Sequence, residues 1–343
     1  MTTRTLAVTE AEALAVAALV AHGVPGDLAP HTARALVLAE RDGLSSHGLA
    51  RLPFYLAQAR SGKVVAGARP VVTRDGAVVR VDGANGLAFP AIALGCAAAR
   101  DVARELGVAA VSIGRSHHFG VAGQPVEDLA RDGLVALALS NSPAAMAPWG
   151  GANPLYGTNP IAFAVPRAGG EPMVIDLSLS HVARGKVMIA QKRGETIPEG
   201  WALDVEGRPT TDPAAALAGT MVPAGGAKGA ALALMVELLS VALSGANYAY
   251  EASSMFDAEG PPPGLGHFLL VIDPARFNPG FAERTATLLD AIVAQPGARL
   301  PGDRRYGVRA SNSETLTLPA ELVAELEDAA GRAGIQTQEE TKG

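Results

Sequence analysis

The chain has 343 residues and a formal net charge of −6, and is 48% hydrophobic against 18% charged. That balance excludes a disordered chain and leaves length for two or three cores, filled mainly by Ala, Val and Leu because aromatics are only 4%. No Lys/Arg cluster stands out, which argues against a nucleic-acid groove or a basic membrane surface, and the single Cys96 rules out an internal disulfide and a multi-cysteine metal site.

The start, MTTRTLAVTEAEAL, has no signal-peptide hydrophobic region, and no uninterrupted apolar run is long enough to cross a bilayer. A cytoplasmic protein without membrane or nucleic-acid contact is expected. Thr9-Glu10-Ala11-Glu12 has the form of a capping box and predicts a helix to about His22, stopped by Gly23 and Pro25. Asp27 is placed to cap a second helix through Glu40. Then comes RDGLSSHGLAR, residues 41–51. Ser45 and Ser46 are helix-capping types, so a short helix is expected with His47 in its first turn and Arg51 four residues later on the same face. That face pairs an imidazole able to donate a proton near neutral pH with a guanidinium forked to grip a carboxylate. It suits a substrate with a carboxylate next to a carbonyl or hydroxyl carbon. Pro53 marks the start, or a kink, of the helix carrying Phe54, Tyr55 and Leu56.

The texture changes at Pro70. PVVTRDGAVVRVDG reads as a strand pair with a D-G turn, 88–105 as a helix, and 108–113, 134–140, 160–166 and 173–178 as apolar strands. PAAMAPWGGANPLYGTNP between the middle two is a long loop, a length that usually serves function. A helix follows through HVARGKVMIA. GAKGAALALMVELLSVAL (226–243) is a long, nearly all-apolar helix and is expected to be buried. A strand at 267–273 and helices at 280–294 and 321–333 close the chain, the last with Leu322, Leu326, Ala329 and Ala333 on one stripe. The expected division is a helical domain at 1–70, an α/β domain at 71–250, and a C-terminal part at 251–343 packing back on the helices.

Three further loops could carry chemistry. GRSHHFGVAG (114–123) directly follows a strand, where many α/β proteins bind ligands, and its glycines permit close backbone approach. GGAKG (225–229) opens the apolar helix, and its backbone N–H groups with Lys228 suit an anion such as a pyrophosphate. RLPGDRR (299–305) is a basic turn also suited to phosphate. Asp176, at the end of an apolar strand, could bind a ribose hydroxyl or orient a histidine. None of the seven histidines has a partner at metal-ligand spacing, so no metal is expected. No G-x-G-x-x-G occurs, so a dinucleotide would be held without the Rossmann fingerprint.

Seven segments in order, SSHGLARLPFY, SHHFGVAG, NSPAAMAPWGG with GTNPIAFAVP, IDLSLSHVARGKV, GGAKGAALALMVELLSVALSGA, GHFLLVIDP and LPGDRR, resemble the malate/L-lactate dehydrogenase family of NAD(P)-dependent oxidoreductases. The resemblance implies an α/β (α+β) protein: a helical domain plus a non-Rossmann, largely antiparallel nucleotide-binding domain, in a homodimer. It implies hydride transfer between nicotinamide and a small 2-hydroxy or 2-oxo carboxylic acid of malate, lactate or sulfolactate type. His47 looks like the proton donor with Ser46 beside it, and His118, between cofactor and substrate, is the other acid–base candidate. Arg51 and Thr158 look like substrate contacts. His118, Phe119, Gly120, Val121, Ala122, Asp176, Leu177, Ser178, Lys228, Pro301, Gly302, Asp303, Arg304 and Arg305 look like cofactor contacts. The cofactor is NAD or NADP, and Arg304 and Arg305 would suit a 2′-phosphate, which favours NADP. A second reading is a reductase of cyclic imines such as piperideine-2-carboxylate; the acidic residue of those relatives is replaced here by Lys186. A reading of another class, from the residues alone, is a hydrolase or lyase that works on a carboxylate substrate without a nucleotide.

Overall fold

A computed structural model describes residues 2–331. Strand β1 (Thr3–Ala7) leads directly into helix α1 (Val8–Ala21). Thr9 does not cap that helix; it lies inside, and Glu10 instead reaches back to the Ala7 N–H at 3.4 Å. Helix α2 (Ala29–Arg41) starts with Pro30 in its first turn, where a missing N–H costs nothing. Asp27 is not its cap, because the carboxylate is taken by the Arg69 fork at 2.8 and 2.9 Å. Two 3₁₀ turns, Ser45–His47 and Leu49–Arg51, then lead into α3 (Leu52–Ser61).

The next elements are β2 (Val71–Asp75), β3 (Val78–Asp82), α4 (Ala88–Leu106), β4 (Val108–Ser116), α5 (Gly123–Arg131), β5 (Val135–Ser140), β6 (Ile161–Val165) and β7 (Met173–Leu177). Helix α6 (Arg184–Arg193) precedes a small unit with strands β8 (Ala202–Leu203) and β9 (Pro209–Thr210), helix α7 (Pro213–Ala218) and strand β10 (Thr220–Met221). Helix α8 (Ala227–Val236) widens into a π turn, Glu237–Ala242. The chain closes with β11 (Leu265–Ile272), α9 (Phe281–Val293), α10 (Asp303–Ser311), β12 (Thr315–Pro319) and α11 (Ala320–Ala329). Ala333, expected on the last apolar stripe, lies outside the described residues.

Seven strands form the main sheet in the order β2-β3-β4-β11-β5-β6-β7. Only β3 and β4 run parallel; every other neighbouring pair is antiparallel. Helices α4 and α5 cover one face through Ala88, Ile92, Ala99, Val126 and Leu129. Ala136, Ala138, Ala162 and Ala164 are fully buried beneath them, and these small side chains let the helices lie close to the sheet. Helix α8 and the π turn after it pack the other face, with Ala233 and Val236 of α8 in the same buried cluster as Leu139.

The segment expected to pack on the N-terminal helices divides in two. Strand β11 is central to the main sheet, while Leu316, Leu318, Val323 and Leu326 join the cluster of Leu14, Leu19, Leu36 and Tyr55. Strands β1 and β12 pair over Thr3–Pro319 to Ala7–Thr315. The expectation of a buried helix at 226–243 is corrected: Leu232, Leu234, Met235, Leu238 and Leu243 are 36–62% exposed, so α8 buries only its sheet-facing side. Helix α10 is bound to both halves of the molecule. Arg309 donates to Asp42, at the end of α2, at 2.9 Å and to Glu127 of α5 at 3.0 Å, and both carboxylates are buried.

Candidate functional site

The site begins with the buried carboxylate of Glu40. Its Oε1 accepts the Leu49 N–H at 2.8 Å. A Cβ at residue 48 would stand 2.3 Å from that same oxygen, so only glycine fits the S-H-G sequence there. The expected single helix is thereby broken at Gly48 into two 3₁₀ turns. Ser45 and Ser46 make no N-cap bond for the first turn; the Ser46 hydroxyl instead meets His47 Nδ1 at 2.9 Å. The Ser46 carbonyl accepts from Arg51 Nε at 2.7 Å. The Arg51 guanidinium lies over the Phe256 ring, 4.7 Å from its centroid. Arg51 is thus fixed at Nε and on one face, which leaves its two terminal nitrogens for a carboxylate.

The second histidine comes from the loop after β4. Gly120 has φ +79°, and a Cβ there would press into the Phe89 ring at 2.7 Å, so the loop can turn only through glycine. The turn buries His118 beside His47, with ring centroids 5.4 Å apart. His118 Nδ1 is held by the Tyr55 hydroxyl at 2.6 Å. Each imidazole is therefore anchored at Nδ1, by Ser46 or Tyr55, and leaves Nε2 for a reacting group. Burial, with Arg51 adding to it, pushes His47 down to about 4. Burial and Arg51 hold His118 well below the ordinary histidine value. Both rings are neutral at neutral pH and can accept a proton.

Tyr55 and His117 are site residues that sequence reading missed. Tyr55 is fully buried, and burial holds its phenol well above the usual tyrosine value, so the hydroxyl stays a hydrogen-bonding group. Its position four residues after Arg51 on an apolar helix was the available signal. His117 packs edge-on against Tyr55 at 5.4 Å. Behind the loop, His267 of β11 bridges Ser140 and Ser116, each at 2.9 Å, across three strands. Its ring meets Phe119 edge-on at 4.7 Å, and so supports the loop that presents His118.

Several expected cofactor segments meet at the β7 edge of the sheet. Asp176 accepts the Gly123 N–H, the first of α5, at 2.8 Å. A Cβ at Gly123 would meet both Asp176 and Arg305, which places the three together. Gly302 lies against the backbone of Val174. The residue just before the GGAKG loop is tied to this region, where Ala224 N–H donates to the Leu179 carbonyl at 2.8 Å. Thr158 borders the same region, its carbonyl accepting from Leu179 N–H at 2.8 Å and its N–H donating to the Ser142 hydroxyl at 3.0 Å.

A dinucleotide fits this donor set in part. Lys228 and Arg304 are exposed and have no ion-pair partner among the described residues, as a phosphate contact requires. Arg305 differs: it is paired with Glu127 at 2.5 Å and lies 3.7 Å from Asp42, so its charge is already met inside the protein. Phe119, Val121 and Ala122 are buried, which leaves Gly120 as the part of that loop open to a ligand.

A sequence profile described as malate/L-lactate dehydrogenase matches residues 6–327. The chain is 64% identical over 323 residues, 94% of its length and 97% of the other, to the (2R)-3-sulfolactate dehydrogenase (NADP(+)) of Chromohalobacter salexigens. Among solved structures it is similar to the delta1-piperideine-2-carboxylate reductase of Pseudomonas syringae pvar. tomato, with TM-score 0.90, 41% identity and coverage of 95% of this chain and 100% of that one. It is also similar to the sulfolactate dehydrogenase of Methanocaldococcus jannaschii, with TM-score 0.88, 30% identity and coverage of 96% and 97%.

Proposed function

This chain belongs to the malate/L-lactate dehydrogenase family, and from that premise we propose that it is an NADP-dependent dehydrogenase of sulfolactate-type 2-hydroxy acids. The observation that carries the reaction class is the convergence of Arg51, with two free guanidinium nitrogens, on two neutral imidazoles 5.4 Å apart. The substrate type and the NADP preference follow the 64% identity to the sulfolactate enzyme named above. Lys228 and Arg304 are the side chains that would meet the cofactor's phosphates.

A nicotinamide cofactor held at this site would supply the hydride chemistry at the substrate's second carbon. The chain's own residues do the rest. Arg51 holds the carboxylate and so fixes the hydroxyl against the histidines. In the oxidising direction His47 takes the hydroxyl proton at Nε2, and in the reducing direction it returns that proton to the oxygen. His47 is assigned this role over His118 because it is partly exposed, where His118 is buried, and so can exchange its proton with water. His118, buried and held by Tyr55, serves as a hydrogen-bonding wall beside the oxygen.

The second reading, reduction of a cyclic imine acid, is supported by the 41% identity to the piperideine-2-carboxylate reductase structure. One assay separates them: oxidation of NADPH and NADH with 3-sulfopyruvate, oxaloacetate, pyruvate and Δ1-piperideine-2-carboxylate. The expected result is turnover of 3-sulfopyruvate with NADPH preferred. Turnover of the imine alone would move the assignment to the second reading. If no substrate is turned over and no nicotinamide fluorescence change marks binding, the dehydrogenase assignment falls. The apolar face Leu232, Met235, Leu238 and Leu243 is the natural seat of a second copy, and a homodimer by sedimentation is expected. The buried, free Cys96 suits a reducing cytoplasm.

A further inference from the structure

We propose that His117 and Lys63 form a second anion subsite, which takes the distal acidic group of a dianionic 2-hydroxy or 2-oxo acid whose carboxylate is held by Arg51. The inference rests on the dehydrogenase reading and adds to it what the far end of the substrate meets. His117 is 1% exposed, and neither of its ring nitrogens has a hydrogen-bond partner among the described residues. A buried imidazole left wholly unpaired is costly and rare, so a polar group belongs beside it in the working protein.

Several of the neighbouring groups follow the line of α3. Arg51, Tyr55 and Gln58 are spaced four and three residues apart, which stacks them on one face of the α3 turns, and Lys63 follows at the helix exit. Tyr55 links the line to the reacting centre: its hydroxyl holds His118 while its ring packs against His117. Lys63 has no side-chain exposure. Two of its three donors go to Asp257, to the carboxylate at 2.9 Å and the carbonyl at 3.3 Å. The third is uncommitted. Lys63 is close enough to His117 to disfavour its protonation, and does so more than Arg51. Phe256 and Asp257, adjacent in the chain, hold Arg51 and Lys63 respectively. The two cations are thus set against one short stretch of loop. A neutral His117 N–H and the third Lys63 donor would both point to one anionic group. That group is a sulfonate or a second carboxylate.

The test is the ratio of kcat/KM between acids with and without that group. NADPH-dependent reduction of 3-sulfopyruvate, oxaloacetate and pyruvate is measured for the wild type, His117→Phe and Lys63→Met. Phe keeps the ring against Tyr55 and removes both nitrogens. The expected result is that each variant lowers the sulfopyruvate-to-pyruvate ratio about ten- to hundredfold, through KM. A larger fall for sulfopyruvate than for oxaloacetate identifies the sulfonate as the occupant, and the reverse identifies the carboxylate. A ratio unchanged in both variants overturns the proposal. If His117→Phe does not fold, His117→Asn, with a shorter polar reach, is judged by the same ratio. If the wild type reduces none of the three, the sulfolactate-type reading fails. The subsite is then judged by thermal shift with 3-sulfopropanoate: stabilisation of the wild type but not of Lys63→Met supports it, and equal stabilisation of both overturns it.

Discussion

His47 is expected to control the pH dependence of the reaction. Burial and Arg51 push it down to about 4, so the free protein presents a neutral base across the ordinary working range. In the oxidising direction kcat/KM should therefore stay level from about pH 8 to 6 and decline only toward pH 4, as the base is protonated. The reducing direction needs the protonated ring, so its kcat/KM should rise as pH falls over the same range. Initial-rate profiles in both directions check this, and oxidation that collapses near pH 6.5 would contradict the assignment. His47→Asn should retain NADPH binding by fluorescence while turnover drops roughly 10²- to 10⁴-fold. The four-residue spacing of His47 and Arg51 could be read from the chain as a shared face. The way they are held could not: Glu40 breaks the helix at Gly48, and Phe256 supports Arg51 from a distant loop. His117 and Tyr55 escaped for the same reason, since an aromatic residue and a doubled histidine acquire meaning only when their neighbours are known.

Glu237 sits at the first residue of the π turn, a distortion that recurs at functional sites. Its buried carboxylate accepts from Asn159 Nδ2 at 2.9 Å, Gly157 N–H at 3.4 Å and Ala249 N–H at 3.3 Å. Asn159 is held at φ +41°, an uncommon conformation for a non-glycine residue. One carboxylate thus ties the loop bearing Thr158 to the segment that runs on toward Phe256. Glu237→Gln turns an amide N–H₂ toward groups that are all donors, which should cost about 1–3 kcal/mol. The expected outcome is a KM for the 2-oxo acid raised about tenfold with kcat little changed, together with a lower urea midpoint; an unchanged KM would remove Glu237 from this positioning role. At this scale the sequence was legible where a single element suffices, as in the D-G hairpin of β2 and β3. It misled at 226–243, where apolar composition implied burial all round. Composition alone cannot distinguish a core helix from one with an outward apolar side.

Acid should unfold the whole molecule in a way set by its buried histidines. His117 and His267 are held near 3 and His118 well below its ordinary value, each chiefly by burial. Below about pH 6.5 the unfolded chain takes up protons that the native protein refuses, so these groups make stability fall as pH drops. Each contributes a slope of about 1.4 kcal/mol per pH unit until its native value is reached. Urea unfolding at about pH 7 and 5 should show the loss, and His267→Asn should flatten it; a pH-independent midpoint would show that other groups dominate. The largely antiparallel domain and the absence of a Rossmann turn could be expected from the motifs and their order. The placement of β11 between β4 and β5 could not, because strand periodicity carries no record of which neighbour a strand will choose. The pairing of β1 with β12 was equally hidden, since TRTLA and TLTLP are short and half-exposed. That pairing has a consequence for how the protein matures. Strand β12 and helix α11 supply Leu316, Leu318, Val323 and Leu326 to the cluster around Tyr55, so the scaffold under Arg51 is incomplete until that segment has left the ribosome. The sheet, complete with β11, can assemble earlier. A nascent chain would then hold a formed sheet while its reacting centre waits for β12 to reach β1.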